Sequence, residues 1–293
     1  MKSYIIIIYI IPVSLVLFLS DLSVLSFNPR APFKSSGRFN FKMASTTSSS
    51  GAPTTTTIIK DPITLLSTIL RLTEKRIIPL TRAGVSSGSK LFGAAILSRS
   101  SLKPLTVSTN NERESPLLHG EINCIQQYFS LPPASTPEEA EEKEEGQVYR
   151  IPTKDTIFFA THEPCSLCLS GITWAGFNEF YYLFTYEDSR DLFAIPYDME
   201  ILEEVFRVKA PGDTETTLKE RPLYNRRNKF FVGRSLVELL EEGTAGIVPE
   251  TEREKEREKW KKEIERIKGL YNGLSETYQE GKKGGVESAS VWK

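Results

Sequence analysis

The order of the predicted elements indicates an α/β sandwich. Short apolar strands alternate with amphipathic helical segments through the middle of the chain. Hydrophobic residues make up 39% and charged residues 26% of the 293 residues. This composition allows a packed core and excludes a chain that is disordered throughout. The length allows one large domain with extensions, or two small domains.

The first predicted element is a helix that begins near residue 61. Asp61-Pro62 is typical of an N-cap followed by the first helical residue. Leucines and isoleucines then recur at helical spacing as far as Ile78. Gly84 is the predicted end of this helix.

Strands and helices then alternate as far as residue 206. The strands are predicted from short apolar runs, and the helices from apolar residues three or four positions apart. The predicted strands are 91–97, 105–108, 156–161 and 180–185, and the predicted helices are 116–129, 165–174 and 199–206. A short element over 230–240 is expected to close the domain.

The first 60 residues are expected to precede the folded domain. An apolar run over residues 4–19 fits the core of a signal peptide better than a membrane span, and a single uncleaved anchor helix is the alternative. Residues 43–60 form a Ser/Thr-rich linker that opens with Met43. Residues 1–42 are therefore a signal or anchor segment, or an upstream extension if translation begins at Met43. The protein is expected to be cytoplasmic in the second case, and secreted or anchored through residues 4–26 in the first.

Two further segments are strongly charged. Residues 132–146 contain six glutamates opposed only by Lys143, which predicts a solvated acidic loop inserted in the domain over 61–210. The extension over 211–293 contains a charged amphipathic helix over 251–278 with one narrow apolar stripe. We expect this helix to pack on its own domain, and a partner-binding helix is the alternative.

The charge and the residue counts exclude several classes of protein. Lys and Arg number 37 against 38 Asp and Glu, so a basic body that grips long nucleic acid is not expected. Three cysteines cannot build a disulfide-rich scaffold. With only two histidines, any metal or acid–base site must use very few residues.

His119, Cys165 and Cys168 are the candidate metal ligands. The two-residue gap in Cys165-Ser166-Leu167-Cys168 allows both thiolates to bind one tetrahedral ion. Pro164 suits the first turn of a helix, where free N–H groups stabilise thiolates. Three protein ligands leave one position for water, as in a catalytic zinc site.

Cys124 and His162 are the alternative candidates for a fourth ligand. Cys124 lies five residues after His119 on the same predicted helix, so it faces away and is expected to be a small core residue. His162 precedes Cys165 by three residues at the end of a strand, and it stays an alternative ligand with awkward geometry.

Glu121 follows His119 by two residues and is the candidate proton acceptor. A zinc ion held by two thiolates and a neutral histidine has most of its charge cancelled, so it acidifies bound water less than three neutral ligands would allow. A nearby carboxylate is then needed to take the proton. The alternative is that Glu121 is a capping residue near a helix start.

These motifs resemble the zinc-dependent cytidine deaminase-like superfamily. The resemblance rests on His119-Gly120-Glu121 coupled to Pro164-Cys165-Ser166-Leu167-Cys168 and covers about residues 61–208. It implies a three-layer α/β/α sandwich with a central mixed sheet of about five strands, to which the charged C-terminal helix is added. It also implies one zinc ion per chain and an assembly of identical subunits.

The resemblance further implies hydrolytic deamination of a base. Glu121 would take a proton from a zinc-activated water, the hydroxide would attack the ring carbon that carries the amine, and Glu121 would return protons to the ring nitrogen and to ammonia. Phe92 and Ala94 match the motif that lines the base pocket, and Asn110 or Asn111 matches the pocket asparagine.

The similarities do not agree on one substrate. Trp174-Ala175-Gly176 and Tyr181-Tyr182 look most like guanine deaminases, Gly120 looks like fungal-type cytosine deaminases, and Glu163 before the Pro-Cys pair also occurs in transfer-RNA adenosine deaminases. The near-neutral charge favours a free nucleobase or nucleoside. The alternatives are a catalytically silent scaffold, or a transfer-RNA adenosine or cytidine deaminase subunit. The RNA alternative needs a cationic groove, whose candidates are Arg221, Arg226, Arg227 and Lys229 unless they form a solvated loop.

Overall fold

A computed structural model describes residues 61–134 and 148–286. The expected signal or anchor segment, the linker over 43–60 and most of the acidic insert lie outside these residues. Within the described part of the chain, no helix is long and apolar enough to cross a membrane.

Five strands form one mixed sheet in the order β2-β1-β3-β4-β5. The strand β1 pairs antiparallel with β2 and β3, whereas β3, β4 and β5 run parallel. The mixed sheet of about five strands is therefore confirmed. The strands are β1 Gly93–Ser98, β2 Pro104–Thr109, β3 Thr156–His162, β4 Glu179–Phe184 and β5 Val232–Ser235.

Ten α-helices of the described residues surround the sheet. Two of them continue into five-residue π-helical segments, Thr73–Ile77 after α1 and Leu202–Phe206 after α6. The helices are α1 Pro62–Leu72, α2 Ile78–Ser86, α3 Gly120–Ser130, α4 Ser166–Ala175, α5 Tyr186–Phe193, α6 Tyr197–Ile201, α7 Glu215–Glu220, α8 Leu236–Thr244, α9 Glu250–Gly269 and α10 Asn272–Lys283.

The two faces of the sheet bury two separate apolar clusters. Alternate residues of each strand point to opposite faces, so Ala95 and Phe159 belong to one cluster and Ala94 and Phe158 to the other. The first cluster is completed by residues of α1, α2, α8, α9 and α10, and the second by residues of α3 and α4. The predicted three-layer α/β/α sandwich is confirmed.

The first predicted helix is interrupted. The π-helical segment Thr73–Ile77 separates α1 from α2, and it ends two residues before Pro79. A proline lacks the N–H group for the regular helical bond and clashes with the carbonyl four residues earlier, which accounts for the widened turn. The helix ends at Ser86, two residues after the predicted Gly84.

The charged C-terminal helix is two helices. It breaks between Gly269 and Asn272, where the side chain of Tyr271 enters the core and is fully buried. The apolar stripe packs against the chain's own sheet, as the sequence predicts. Its buried members are Ile264, Ile267, Tyr271, Leu274 and Tyr278, while Trp260 is partly buried.

Candidate active site

The two cysteines lie where β3 passes into α4. Cys165 is the N-cap of α4, with extended backbone angles of φ −65° and ψ 174°, and Cys168 lies in the first turn. The first N–H groups of a helix have no partners within the helix, and the helix dipole is positive at this end. This position favours the thiolate form of Cys165, whose pKa lies well below its usual value, whereas burial raises the pKa of Cys168 well above its usual value.

His119 is the N-cap of α3, with φ −61° and ψ 156°. The predicted start of this helix at Pro116 is therefore wrong by four residues. The backbone N–H of Gly120 donates to Asn110 Oδ1 at 2.6 Å, which holds the start of the helix against the end of β2. A Cβ atom on Gly120 would lie 2.9 Å from Gly93 Cα and 3.0 Å from the Phe92 carbonyl oxygen, so only glycine fits here.

The three ligand side chains converge on one point. His119 Nδ1 lies 3.4 Å from Cys165 Sγ and 3.7 Å from Cys168 Sγ, and the three ligand atoms all lie within 4.8 Å of one another. Zinc–sulfur distances of about 2.3 Å and zinc–nitrogen distances of about 2.0 Å in a tetrahedron place sulfur and nitrogen about 3.5 Å apart. The three residues are therefore positioned to bind one zinc ion, and zinc is the cofactor.

Neither alternative fourth ligand reaches this point. Cys124 Sγ lies 3.2 Å from Thr106 Oγ1 inside the core, where burial raises the pKa of the thiol to about 12. The ring of His162 packs against Phe92 and Phe184, and its Nδ1 is hydrogen-bonded to the neighbouring Thr161 hydroxyl. Among the residues that the structure describes, three ligands therefore form the set, which is the number found in catalytic zinc sites.

His119 and Cys165 each shift the pKa of the other. The hydrogen bond from Cys168 and the imidazole of His119 hold the pKa of Cys165 well below its usual value, against the effect of burial. Burial lowers the pKa of His119, but the hydrogen bond and charge of Cys165 outweigh it and raise that pKa to about 9. The metal-free set therefore retains protons that zinc binding would release.

Glu121 lies beside these ligands in the first turn of α3. Its side chain is 4% exposed, and its Oε2 atom is buried without a hydrogen-bond partner. Burial, followed by the charge of Cys165, raises the pKa of Glu121 to about 7. A buried carboxylate oxygen without a donor is rare in folded proteins. Its position next to two thiolates and an imidazole fits a site completed by a metal ion and a water molecule.

The structure adds Asp198, which no pattern in the sequence indicates. This partly buried residue of α6 interacts electrostatically with Cys165, His119 and Glu121. Burial, followed by the charge of Cys165, raises the pKa of Asp198 to about 8. In the sequence Asp198 is one acidic residue among several in a short helix, so nothing sets it apart until the fold brings α6 to the ligands.

The predicted substrate-binding residues lie in different surroundings. Asn110 is buried, and its Nδ2 group has no hydrogen-bond partner, whereas Asn111 Nδ2 donates to Glu114 at 2.8 Å. The side chains of Phe92 and Ala94 are buried in the two cores on opposite faces of the sheet. Asn110 is therefore the asparagine with a free donor, and contacts from Phe92 and Ala94 to a substrate stay predictions.

The candidate cationic groove is largely paired. Arg221 donates to both oxygens of Asp213 at 2.6 Å, and Arg226 contacts Glu238 at 3.0 Å. The Lys229 ammonium lies over the ring of Phe230 at 4.9 Å. Within the described part of the chain, these residues and Arg227 do not form a continuous unpaired cationic surface.

Comparisons with known proteins agree with this chemistry. Residues 75–184 match the model of the cytidine and deoxycytidylate deaminase zinc-binding region. No curated protein sequence matches the chain.

Solved structures similar to the chain include two guanine deaminases. The guanine deaminase of Bacillus subtilis is 21% identical, with a TM-score of 0.34, and the match covers 55% of this chain and 98% of that one. The guanine deaminase of Nitrosomonas europaea is 14% identical, with a TM-score of 0.29, over 64% and 80% of the two chains. A chain from a study of A-to-I editing by tRNA:A34 deaminases is 21% identical, with a TM-score of 0.28, over 39% and 72%. Values this low do not distinguish between substrates.

Proposed function

We propose that this chain, whose residues 75–184 match the model of the cytidine and deoxycytidylate deaminase zinc-binding region, is a zinc deaminase that removes the exocyclic amine of a free nucleobase or nucleoside by hydrolysis. The observation that carries this proposal is the buried, unpartnered Oε2 of Glu121 beside the three ligands. A scaffold without activity has no need to keep such a carboxylate, because it costs stability.

The proposed chemistry divides between the metal and Glu121. His119, Cys165 and Cys168 would hold the zinc ion, which would act as a Lewis acid that polarises a water molecule for attack. Glu121 accepts a proton from the attacking water as a carbon–oxygen bond forms at the ring carbon that bears the amine. It gives that proton to the adjacent ring nitrogen. It then takes the remaining proton from the hydroxyl group on the ring carbon and gives it to the amine, as the carbon–nitrogen bond breaks, the carbonyl group forms and ammonia leaves.

Two further side chains are suited to hold the base. The free Nδ2 donor of Asn110 can bond a ring nitrogen or a carbonyl oxygen of the substrate. The Asp198 carboxylate, when ionised, can accept a hydrogen bond from an N–H group of the same ring. We propose that these two residues fix the orientation of the base in front of Glu121.

The surface charge favours a small substrate over RNA. Phosphate contacts supply most of the affinity of nucleic-acid-binding proteins and need available cations. Two of the four candidate cations, Arg221 and Arg226, are engaged by carboxylates. We propose a nucleobase or nucleoside for this reason, and we expect identical subunits to assemble.

The test is ammonia release from the zinc-loaded protein with guanine, cytosine, cytidine, deoxycytidylate and adenine. We expect turnover of at least one compound, and loss of that turnover in Glu121→Gln protein that still contains one zinc per chain. Ammonia release from transfer RNA alone would overturn the proposed substrate class, and unchanged turnover in the variant would overturn the role of Glu121.

A further inference from the structure

We propose that two tyrosines beyond the family-matching segment, Tyr186 and Tyr224, are positioning residues that hold the turn carrying the zinc ligand Cys165. Neither residue lies within residues 75–184, which the family model covers. The inference depends on zinc binding at His119, Cys165 and Cys168, and it does not depend on which substrate the protein uses.

Tyr186 acts on the backbone directly before the ligand. Its hydroxyl donates to the Pro164 carbonyl oxygen at 2.5 Å, and its side chain is buried, with 4% exposed. That carbonyl belongs to the peptide group that joins Pro164 to Cys165. The bond therefore fixes the peptide plane from which the extended N-cap conformation of Cys165 begins.

Tyr224 acts on the residue before that peptide group. Its hydroxyl donates to Glu163 Oε1 at 2.8 Å, and the Glu163 side chain is buried. The backbone N–H of Glu163 also donates to the Phe184 carbonyl oxygen at 2.8 Å, which anchors the residue to the end of β4. A buried carboxylate needs donors. Tyr224 is one of them, beside the Tyr182 side chain and the Tyr186 backbone, and it helps to keep Glu163, and with it the Pro164–Cys165 turn, in one position.

The two tyrosines form one unit. Their ring centroids lie 6.3 Å apart with the planes at 71°, an edge-to-face contact. The unit is tied to the sheet by Arg226, which donates to the Tyr182 hydroxyl at 2.8 Å and pairs with Glu238 at 3.0 Å. The loop of the C-terminal extension that carries Tyr224 and Arg226 therefore supports the Pro164–Cys165 turn.

Loss of these two hydroxyl hydrogen bonds is expected to lower zinc affinity more than it lowers the stability of the protein. Partners that orient the ligands of a metal typically change its affinity about 10- to 100-fold when they are removed. A tyrosine-to-phenylalanine change deletes one hydroxyl and keeps the ring packing. We therefore expect Tyr186→Phe and Tyr224→Phe to weaken zinc binding about 10-fold or more.

The matched control is Tyr181→Phe. The Tyr181 hydroxyl donates to the buried carboxylate of Glu179 at 2.5 Å, so the control also removes a buried tyrosine–glutamate bond. Glu179 lies at the start of β4, whereas the metal turn lies beside its end at Phe184. We expect the zinc dissociation constant of this variant to equal that of the unchanged protein.

The experiment measures zinc affinity on the full chain by competition with a chromophoric chelator, together with the melting temperature of the metal-free protein. A weaker zinc site in both test variants, with melting temperatures no lower than that of the control, supports the proposal. Unchanged zinc affinity in Tyr224→Phe, whose partly exposed side chain makes misfolding the lesser concern, overturns it. Because this measurement uses no substrate, it stands even if every compound of the deamination panel fails.

Discussion

Two buried glutamates at different places in the sheet sandwich have opposite surroundings. Glu179, at the start of β4, accepts hydrogen bonds from Arg99 at 2.5 Å, Arg234 at 3.0 Å and the Tyr181 hydroxyl at 2.5 Å. Glu121, at the start of α3, is more deeply buried and has an oxygen with no partner at all. A carboxylate whose oxygens are all hydrogen-bonded is typical of a group that holds strands together. A buried carboxylate oxygen without a partner is typical of a ligand-binding or catalytic site.

The largest expected effect is the loss of turnover when Glu121 is changed, because we assign Glu121 a catalytic role and Glu179 a structural one. In Glu121→Gln we expect turnover to fall about 10²- to 10⁴-fold, because one group supplies both the base and the acid. The free energy of unfolding should stay the same or rise, since a neutral amide replaces a buried carboxylate of which one oxygen has no donor. Ammonia release and urea denaturation measure the two quantities. A loss of stability as large as that of a Glu179 variant would contradict the comparison.

The reverse result is expected for Glu179. In Glu179→Gln the guanidinium groups of Arg99 and Arg234 lose their shared counter-charge. Breaking a buried ion pair costs about 3–5 kcal/mol, and we expect a fall in the free energy of unfolding at the lower end of this range because Arg234 keeps Glu242 at 3.3 Å. Turnover per folded molecule should not change. Urea denaturation checks the first expectation, and turnover reduced at normal zinc content would show that the cluster also serves the site.

The smallest expected effect concerns packing rather than charge. Gly120→Ala forces a Cβ atom against the backbone of Gly93 and Phe92. We expect a loss of about 1–3 kcal/mol of unfolding free energy, typical of overpacking, and weaker zinc binding because His119 must move. The control is Gly273→Ala in α10, where no atom lies within 4 Å of the new Cβ. That variant should be at least as stable as the unchanged protein, and equal effects of the two changes would contradict the close approach.

Local patterns in the sequence were sufficient for the metal ligands. The spacing of Cys165 and Cys168 is a property of one helix turn, and His119 was found because the chain has so few histidines. The strands followed from apolar runs, since a buried strand has to be apolar on both faces. The helix start at Pro116 was wrong because the extended conformation of His119 depends on a long-range contact, the approach of Gly120 to Gly93.

The residues that the sequence did not reveal all depend on contacts between distant segments. Asp198 and Tyr224 reach the metal turn from elements that follow β4, and neither belongs to a local motif. The strand β5 is only four residues long and carries Gly233 and Arg234, so it has no apolar run. Its place in the sheet comes from parallel pairing with β4.

The burial of α9 and α10 against the sheet has a consequence for how the chain is made. A nascent polypeptide that has left the ribosome as far as residue 210 already carries all the zinc-binding residues and four of the five strands. It still lacks Tyr271, whose ring lies 5.0 Å from that of Phe184, and the other apolar residues that cover this face. The growing chain therefore presents an exposed apolar surface to chaperones until α9 and α10 have emerged, and this face of the core closes only then.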